Sequence, residues 1–254
     1  MSRITALLSA ALLAGAALPA AAQETLTIGT EASYRPFAYV LPSGELTGFD
    51  VEITEALCEE MQVTCEISNQ SFDGLIPALN AGKIDAIIAS MFITEDRLKA
   101  IDFAGPYYAT PGLFIGPADA GLELDADALK RKFIGVQRGT TMADYVDQKL
   151  PGARVQYYDT LDAATLDLVS GRVDLVFADS VVIEEFLASG DGAGFAQVGE
   201  PVNDPILGEG AGIGLRKDDA ELKAKFDEAL AAIIASGKYA EINAKYMSSD
   251  ISPK

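Results

Sequence analysis

Arg97 stands three residues after Thr94, in the stretch Ser90-Met91-Phe92-Ile93-Thr94-Glu95-Asp96-Arg97. The apolar run that ends at Ser90 reads as a strand, and a threonine followed by charged residues reads as a helix start. A helix start points free backbone N–H groups outward, and an arginine in its first turn adds a planar two-pronged donor. That combination suits a carboxylate. A surface ion pair with Glu95 or Asp102 is the plainer use of Arg97, and residue type alone favours it. A second seat for an anion is Gly135-Val136-Gln137-Arg138-Gly139-Thr140-Thr141, where glycine permits a tight strand-to-helix turn and the threonines cap the helix. It lacks the spacing and lysine of a nucleotide phosphate loop. An ordinary helix cap would look the same.

Acids and aromatics complete the set. Asp179 closes another apolar run, with the charge to hold an ammonium or to cap the helix starting at Ser180. Glu31 follows the strand end Gly29-Thr30, and Tyr34 and Phe72 offer two walls for a slot. Aromatic faces grip aliphatic and cationic side chains well, although a single aromatic is more often plain core. One arginine, two helix starts, one aspartate and a slot ending at Glu31 together describe an α-amino acid with a positively charged side chain.

The elements that carry these groups repeat. Residues 81–90 read A-G-K-I-D-A-I-I-A-S and residues 170–179 read S-G-R-V-D-L-V-F-A-D, 89 positions later. In each, a glycine stops a helix and a short apolar strand ends on a polar residue, Ser90 or Asp179. Ligands of open α/β sheets bind beyond the carboxyl ends of the strands. The two copies therefore predict two similar lobes facing one cleft. Strand–helix alternation runs almost throughout, with strands at 26–30, 65–68, 86–90, 133–137, 154–158, 174–178 and 212–216. Helices are expected from Gly48 to about Met61, over 72–81, and from Thr94 through Ala100. Further helices should end near Lys130, open at Gly139 to run to about Lys149, and span 161–170 and 180–188. A long last helix capped by Asp218 precedes a final one marked by Tyr239, Ile242 and Tyr246. Residues 108–116 read as extended and 189–210 as glycine-rich and irregular. The chain ends in helices with no strand of their own, so the second unit reads as an insertion in the first, with two crossings that make a hinge.

Composition narrows the setting. Arg3, the Leu/Ala-rich stretch after it and Pro19-Ala20-Ala21-Ala22 read as an export signal cleaved before Gln23. Removing 22 residues from 254 leaves 232, enough for one large or two modest domains. Hydrophobic residues make up 49%, which fits a packed α/β protein. A formal charge of −19 disfavours nucleic acid and anionic lipid as partners. With no histidine, a Ser-His-Asp or Cys-His apparatus and most transition-metal sites are excluded. Cys58 and Cys65, the two cysteines of an exported chain, read as a structural disulfide worth about 2–3 kcal/mol.

The sequence resembles the extracytoplasmic amino-acid-binding proteins of ABC importers, and within them the lysine/arginine/ornithine- and histidine-binding group. The matching segments are I-G-T-E-A-S-Y-R-P-F at 28–37, G-E-L-T-G-F-D-V-E-I at 44–53, F-D-G-L-I-P-A-L at 72–79 and K-I-D-A-I-I at 83–88. They continue with I-T-E-D-R at 93–97, G-V-Q-R-G-T-T at 135–141 and G-L-R-K-D-D at 214–219. The Cys58/Cys65 spacing is similar to that group's disulfide. The resemblance implies an α/β, two-lobed periplasmic-binding-protein fold, each lobe a sheet flanked by helices. The first lobe would comprise 23–108 and 207–254, with 109–206 as the inserted second lobe and two strands as the hinge. It implies that Arg97 and Thr141 hold the α-carboxylate, and Asp179 with Ser90 the α-ammonium. Tyr34 and Phe72 would sandwich the side chain, and Glu31 would meet its distal cation. Phe92 and Ala89 stand where relatives carry hydroxyl residues, and Met142 replaces a polar one. Phe92 narrows the slot and removes a hydrogen bond.

The expected function is capture of a basic L-amino acid (arginine, ornithine, lysine or a relative) for a cognate ABC permease in the inner membrane. The protein is expected to act as a periplasmic monomer without cofactor or metal. A neutral polar amino acid or an opine is the alternative ligand. A periplasmic dehydratase using Glu31 as its acid, and a sensing module for a chemoreceptor, are the other classes.

Overall fold

A computed structural model describes residues 24–121, 124, 125 and 127–253, and the expected signal segment lies outside them. β1 (Thr25–Thr30) is followed by a small antiparallel sheet of β2 (Ser33–Tyr34), β3 (Ala38–Val40) and β4 (Leu46–Thr47), which leads into α1 (Phe49–Glu60). Next come β5 (Thr64–Asn69), a 3-10 turn over Phe72–Gly74, α2 (Leu75–Asn80), β6 (Ala86–Ile87), α3 (Glu95–Ala100) and β7 (Asp102–Tyr108). The chain then builds β8 (Gly112–Pro117), β9 (Phe133–Gln137), α4 (Thr141–Lys149), β10 (Arg154–Tyr158), α5 (Leu161–Val169), β11 (Leu175–Asp179), α6 (Ser180–Ala188) and β12 (Phe195–Val202). It closes with β13 (Ala211–Leu215), α7 (Ala220–Ala235) and α8 (Lys238–Tyr246).

Two five-stranded sheets result, in the orders β5-β1-β6-β13-β7 and β10-β9-β11-β8-β12. In each, three parallel strands come first, joined by helical crossovers because parallel neighbours cannot be linked by a tight turn. Two antiparallel strands then finish the sheet. The repeated phrase occupies the third parallel strand of each, β6 and β11. The chain leaves the first sheet between Tyr108 and Gly112 and returns between Val202 and Ala211. After returning, α7 packs on β7 and α1, and α8 packs on α1. Phe226, Leu230 and Ile233 bury the inner stripe of α7, each worth about 1.5–3 kcal/mol of burial.

Local chemistry explains the boundaries near the cleft. Gly48 has φ 129°, and a Cβ there would meet the Phe37 carbonyl oxygen at 2.2 Å, so only glycine lets α1 start so close to the preceding turn. Thr94 and Thr140 each accept a backbone N–H three residues on, from Arg97 and Ala143. Pro77 lies in the first turn of α2, where its missing N–H costs no helical hydrogen bond. The Cys58–Cys65 disulfide ties α1 to β5 across a Cα separation of 6.2 Å.

Several expectations give way. The strand expected over 86–90 stops at Ile87 as β6, and Ser90 lies in a bend beyond it. Residues 189–210 are not irregular throughout, since β12 occupies Phe195–Val202 despite Gly199 and Pro201. It is an edge strand with a register shift between Val198 and Val202, where a proline costs no ladder bond. Likewise the extended passage begins at Asp102, because β7 is also an edge strand and tolerates Gly105-Pro106. The helix expected to end near Lys130 is a run of turns over 127–131. The cap of α7 is Asp219, which accepts the Leu222 N–H.

Candidate functional site

The carboxyl ends of β1 and β6 face those of β9 and the start of α4 across a cleft enclosing about 340 Å³ of empty space, mouth included. From the first sheet's side come Glu31, Tyr34, Phe72, Ser90, Phe92 and Arg97, with Ala89 behind. From the other side come Gln137, Thr140, Thr141 and Met142. Seven of the eight residues expected at the site therefore line one cleft. The eighth, Asp179, lies outside that lining.

Arg97 makes no ion pair with Glu95 or Asp102. Its Nη1 donates to the Phe92 carbonyl at 2.6 Å and its Nη2 to the Gly139 carbonyl at 2.9 Å, so the guanidinium already bridges the cleft. Gly139 has φ 74°, and its missing side chain lets that turn approach Asp73. The guanidinium carbon lies 5.5 Å from the centre of the Phe72 ring. Burial pulls the Arg97 pKa down to about 10, against the favourable charge of Asp144, and it stays cationic at neutral pH. A cation held by two neutral carbonyls and an aromatic face is well placed for an incoming anion.

The other end of the cleft carries the opposite sign. Glu31 is 6% exposed, and both its oxygens accept from Gln137 Nε2, at 2.9 and 2.8 Å. Ser33 Oγ donates to Glu31 Oε1 at 2.8 Å. Burial raises the Glu31 pKa, the bonds from Gln137 and Ser33 work against that, and the charges of Asp162 and Asp73 add to it. Gln137, itself buried, also donates to the Asp159 carbonyl at 3.3 Å. Tyr34 stacks on Phe37, and Phe92 meets Tyr108 edge-on at 5.9 Å.

The two repeated strand ends differ. Ser90 adopts φ 52°, donates its Oγ–H to Asp50 Oδ2 at 3.0 Å and its N–H to the Tyr107 hydroxyl at 2.9 Å. Asp179 is 1% exposed and caps α6 by accepting the Val181 N–H at 2.9 Å. Its other oxygen accepts from Thr110 Oγ1 at 2.5 Å and from the Tyr108 hydroxyl at 3.4 Å. Burial pushes Asp179 up to about 6 against those bonds. Thr141 opens α4 beneath the cleft, with its hydroxyl 3.5 Å from the Met142 sulfur. Asp50 and Gln137 were not expected as site side chains. Asp50 carried only the signal of an acid in the first turn of a helix, and Gln137 only its place in the turn before α4.

Among the described residues, no cluster of acids or cysteines could hold a metal ion, and no helix is long and apolar enough to cross a membrane. A roomier groove between the small sheet and α5–α6 is lined by the exposed Leu166 and Val169 along with Asp162, Glu185 and Asp191. Its polar groups do not converge on one point as those of the smaller cleft do.

The description of bacterial extracellular solute-binding proteins, family 3, matches residues 26–249. The chain is 47% identical over 251 residues to the L-arginine-binding protein of Pseudomonas aeruginosa, covering 97% of each. It is 39% identical over 243 residues to the lysine/arginine/ornithine-binding periplasmic protein of Escherichia coli, covering 94% of this chain and 92% of that one. Among solved structures, a Salmonella typhimurium periplasmic binding protein described for high arginine specificity superposes with a TM-score of 0.83 at 34% identity. That match covers 89% of this chain and 100% of the other.

Proposed function

This chain belongs to the bacterial extracellular solute-binding proteins of family 3, and from that premise we propose that it captures a basic L-amino acid and delivers it to an ABC permease. The relatives bear names of arginine- and lysine/arginine/ornithine-binding proteins, which places arginine first among the ligands to test. The protein works as a monomer in the periplasm and binds its ligand without turning it over.

The observation that carries the reading is the pair Arg97 and Glu31, opposite charges at the two ends of one cleft, each partnered across it by neutral atoms. Gly139 O holds Arg97, and Gln137 Nε2 holds Glu31. A cationic amino acid replaces both cross-cleft bonds with charged ones. Its carboxylate takes the prongs of Arg97 and the N-terminus of α4 at Thr141, and its distal cation takes Glu31. Each exchange of a neutral for a charged partner gains on the order of 1 kcal/mol. The aliphatic stem lies between Tyr34 and Phe72, with Phe92 limiting the width near the α-carbon. The α-ammonium lies between Ser90 and Asp179, and reaching Asp179 requires Thr110 and Tyr108 to yield the oxygen to which both now donate.

Residues 23–108 with 207–254 form one lobe and 109–206 the other. They hinge at the two crossings and close on the ligand. Calorimetric titration with arginine, lysine, ornithine, glutamine and glutamate tests the ligand class. A cationic amino acid is expected to bind and, at a hundredfold excess over Kd, to stabilise the fold by about 2.7 kcal/mol. Binding of glutamate or glutamine, with none of the cationic amino acids, overturns it.

A further inference from the structure

Asp50 is enclosed at the start of α1, 2% exposed, and is not among the side chains that line the cleft. Three hydrogen bonds nevertheless connect it to the cleft wall. Ser90 N–H donates to the Tyr107 hydroxyl at 2.9 Å, the Tyr107 hydroxyl donates to Asp50 Oδ1 at 2.9 Å, and Ser90 Oγ–H donates to Asp50 Oδ2 at 3.0 Å. With Asp50 ionised the directions are fixed: the carboxylate only accepts, and a tyrosine hydroxyl that receives an N–H has its own proton free for it.

The ring spends both of Ser90's donors on the protein interior. What Ser90 retains for the cleft are acceptors, the second lone pair of its hydroxyl and its carbonyl oxygen. Its backbone also lies in the left-handed region, which is strained for a non-glycine residue and persists where surrounding bonds hold it. We infer that Asp50 is a positioning residue for recognition: it locks Ser90 as an acceptor-only group at the cleft wall, so that this strand end selects a ligand bearing an ammonium. The inference rests on the binding function proposed above and adds to it the group that sets the polarity of Ser90.

One atom tests it. In Asp50→Asn the carboxamide oxygen can still receive the Tyr107 proton, but its NH₂ must then face Ser90 Oγ as a donor. Ser90 Oγ becomes the acceptor of that bond, and its own proton turns to the cleft as a donor toward an ammonium. The ligand pair that reads this is L-arginine and δ-guanidinovalerate, which keeps the carboxylate and guanidinium but lacks the α-ammonium. Calorimetry on the wild type and Asp50→Asn is expected to show arginine weakened about tenfold, with δ-guanidinovalerate changed less than about twofold. The ratio of the two affinities thus falls by about fivefold or more. In a Ser90→Ala background, Asp50→Asn is expected to leave the ratio where Ser90→Ala put it. Should Asp50→Asn fail to fold, Tyr107→Phe, which removes one link and keeps the ring packing, is expected to lower the same ratio about threefold. A melting point that drops while the ratio holds overturns the inference, because a merely structural carboxylate weakens both ligands alike. A ratio change that persists without the Ser90 hydroxyl overturns it too. Wild-type protein that binds no cationic amino acid defeats the ligand class itself, whereas wild-type binding with an unchanged ratio defeats the role of Asp50 alone.

Discussion

β6 and β11 occupy the same place in their sheets and carry the same phrase, yet a carboxylate reaches the ends of the two strands by different routes. β11 ends on its own carboxylate, Asp179, which also caps the next helix. β6 is followed by a neutral serine, and its carboxylate is supplied from α1 by Asp50. Both carboxylates are served by tyrosines at the end of β7. Tyr107 donates to Asp50, and its neighbour Tyr108 donates to Asp179. Successive side chains of a strand point to opposite sides, so adjacent tyrosines where the chain leaves the first sheet can each attend a different acid. A strand end set by sequence can therefore be read from the sequence, whereas one set by a distant partner cannot.

Removing the charge native to β11 should break the comparison most severely. Asp179→Asn keeps the acceptor for the Val181 N–H and loses the charge, so affinity for arginine is expected to fall about 100-fold with a small change in melting point. Asp179→Ala loses the same affinity and also costs roughly 0.5–2 kcal/mol of stability through the lost cap. Equal affinities for wild type and Asp179→Asn in calorimetry would leave Asp179 as a cap alone.

Acid should act on both strand ends together. Burial pushes Asp50 up to about 7 and Asp179 up to about 6. Folded values above the unfolded one mean that the native state holds protons the unfolded chain releases. Their contribution to stability is therefore full below about pH 4 and is lost as pH rises through 6 to 7. A cationic ligand needs the ionised forms, so its affinity runs the other way. Between about pH 8 and pH 5 arginine is expected to weaken by tenfold or more, with protons released on binding near pH 6. Calorimetry in buffers of different ionisation enthalpy measures that release, and an affinity flat through pH 6 would detach both acids from the ligand.

What sequence revealed follows the same division. The Thr94 cap, the Cys58–Cys65 bridge and the capping role of Asp179 rest on chemistry within a few residues. The two edge strands were obscured by their own breakers, Gly105-Pro106 in β7 and Gly199 and Pro201 in β12, because proline is harmless where no neighbour needs its N–H. Residue type alone favours surface pairing for Arg97 because its partner, the Gly139 carbonyl, lies 42 residues away. Asp50 depends on Ser90, 40 residues on, and on Tyr107, 57 residues on. Those partners exist only once the sheets have formed.

The first strands of the two units extend the comparison. Glu31 follows β1 and Gln137 ends β9, and here the two ends bond to each other over 106 residues. Gln137 does two opposing things to a cationic ligand. Its N–H donors compete for the Glu31 carboxylate, and the same donors work against the burial that raises its pKa. In Gln137→Leu the competitor goes and so does the support. At pH 8 the loss of competition is expected to tighten arginine binding by about twofold to fivefold. The Glu31 pKa, already raised by burial, climbs further, so the gain shrinks as pH falls and reverses in acid. Affinity curves for wild type and Gln137→Leu are thus expected to cross. Parallel curves would mean that Gln137 does not govern the charge of Glu31, and that the ends of β1 and β9 act independently.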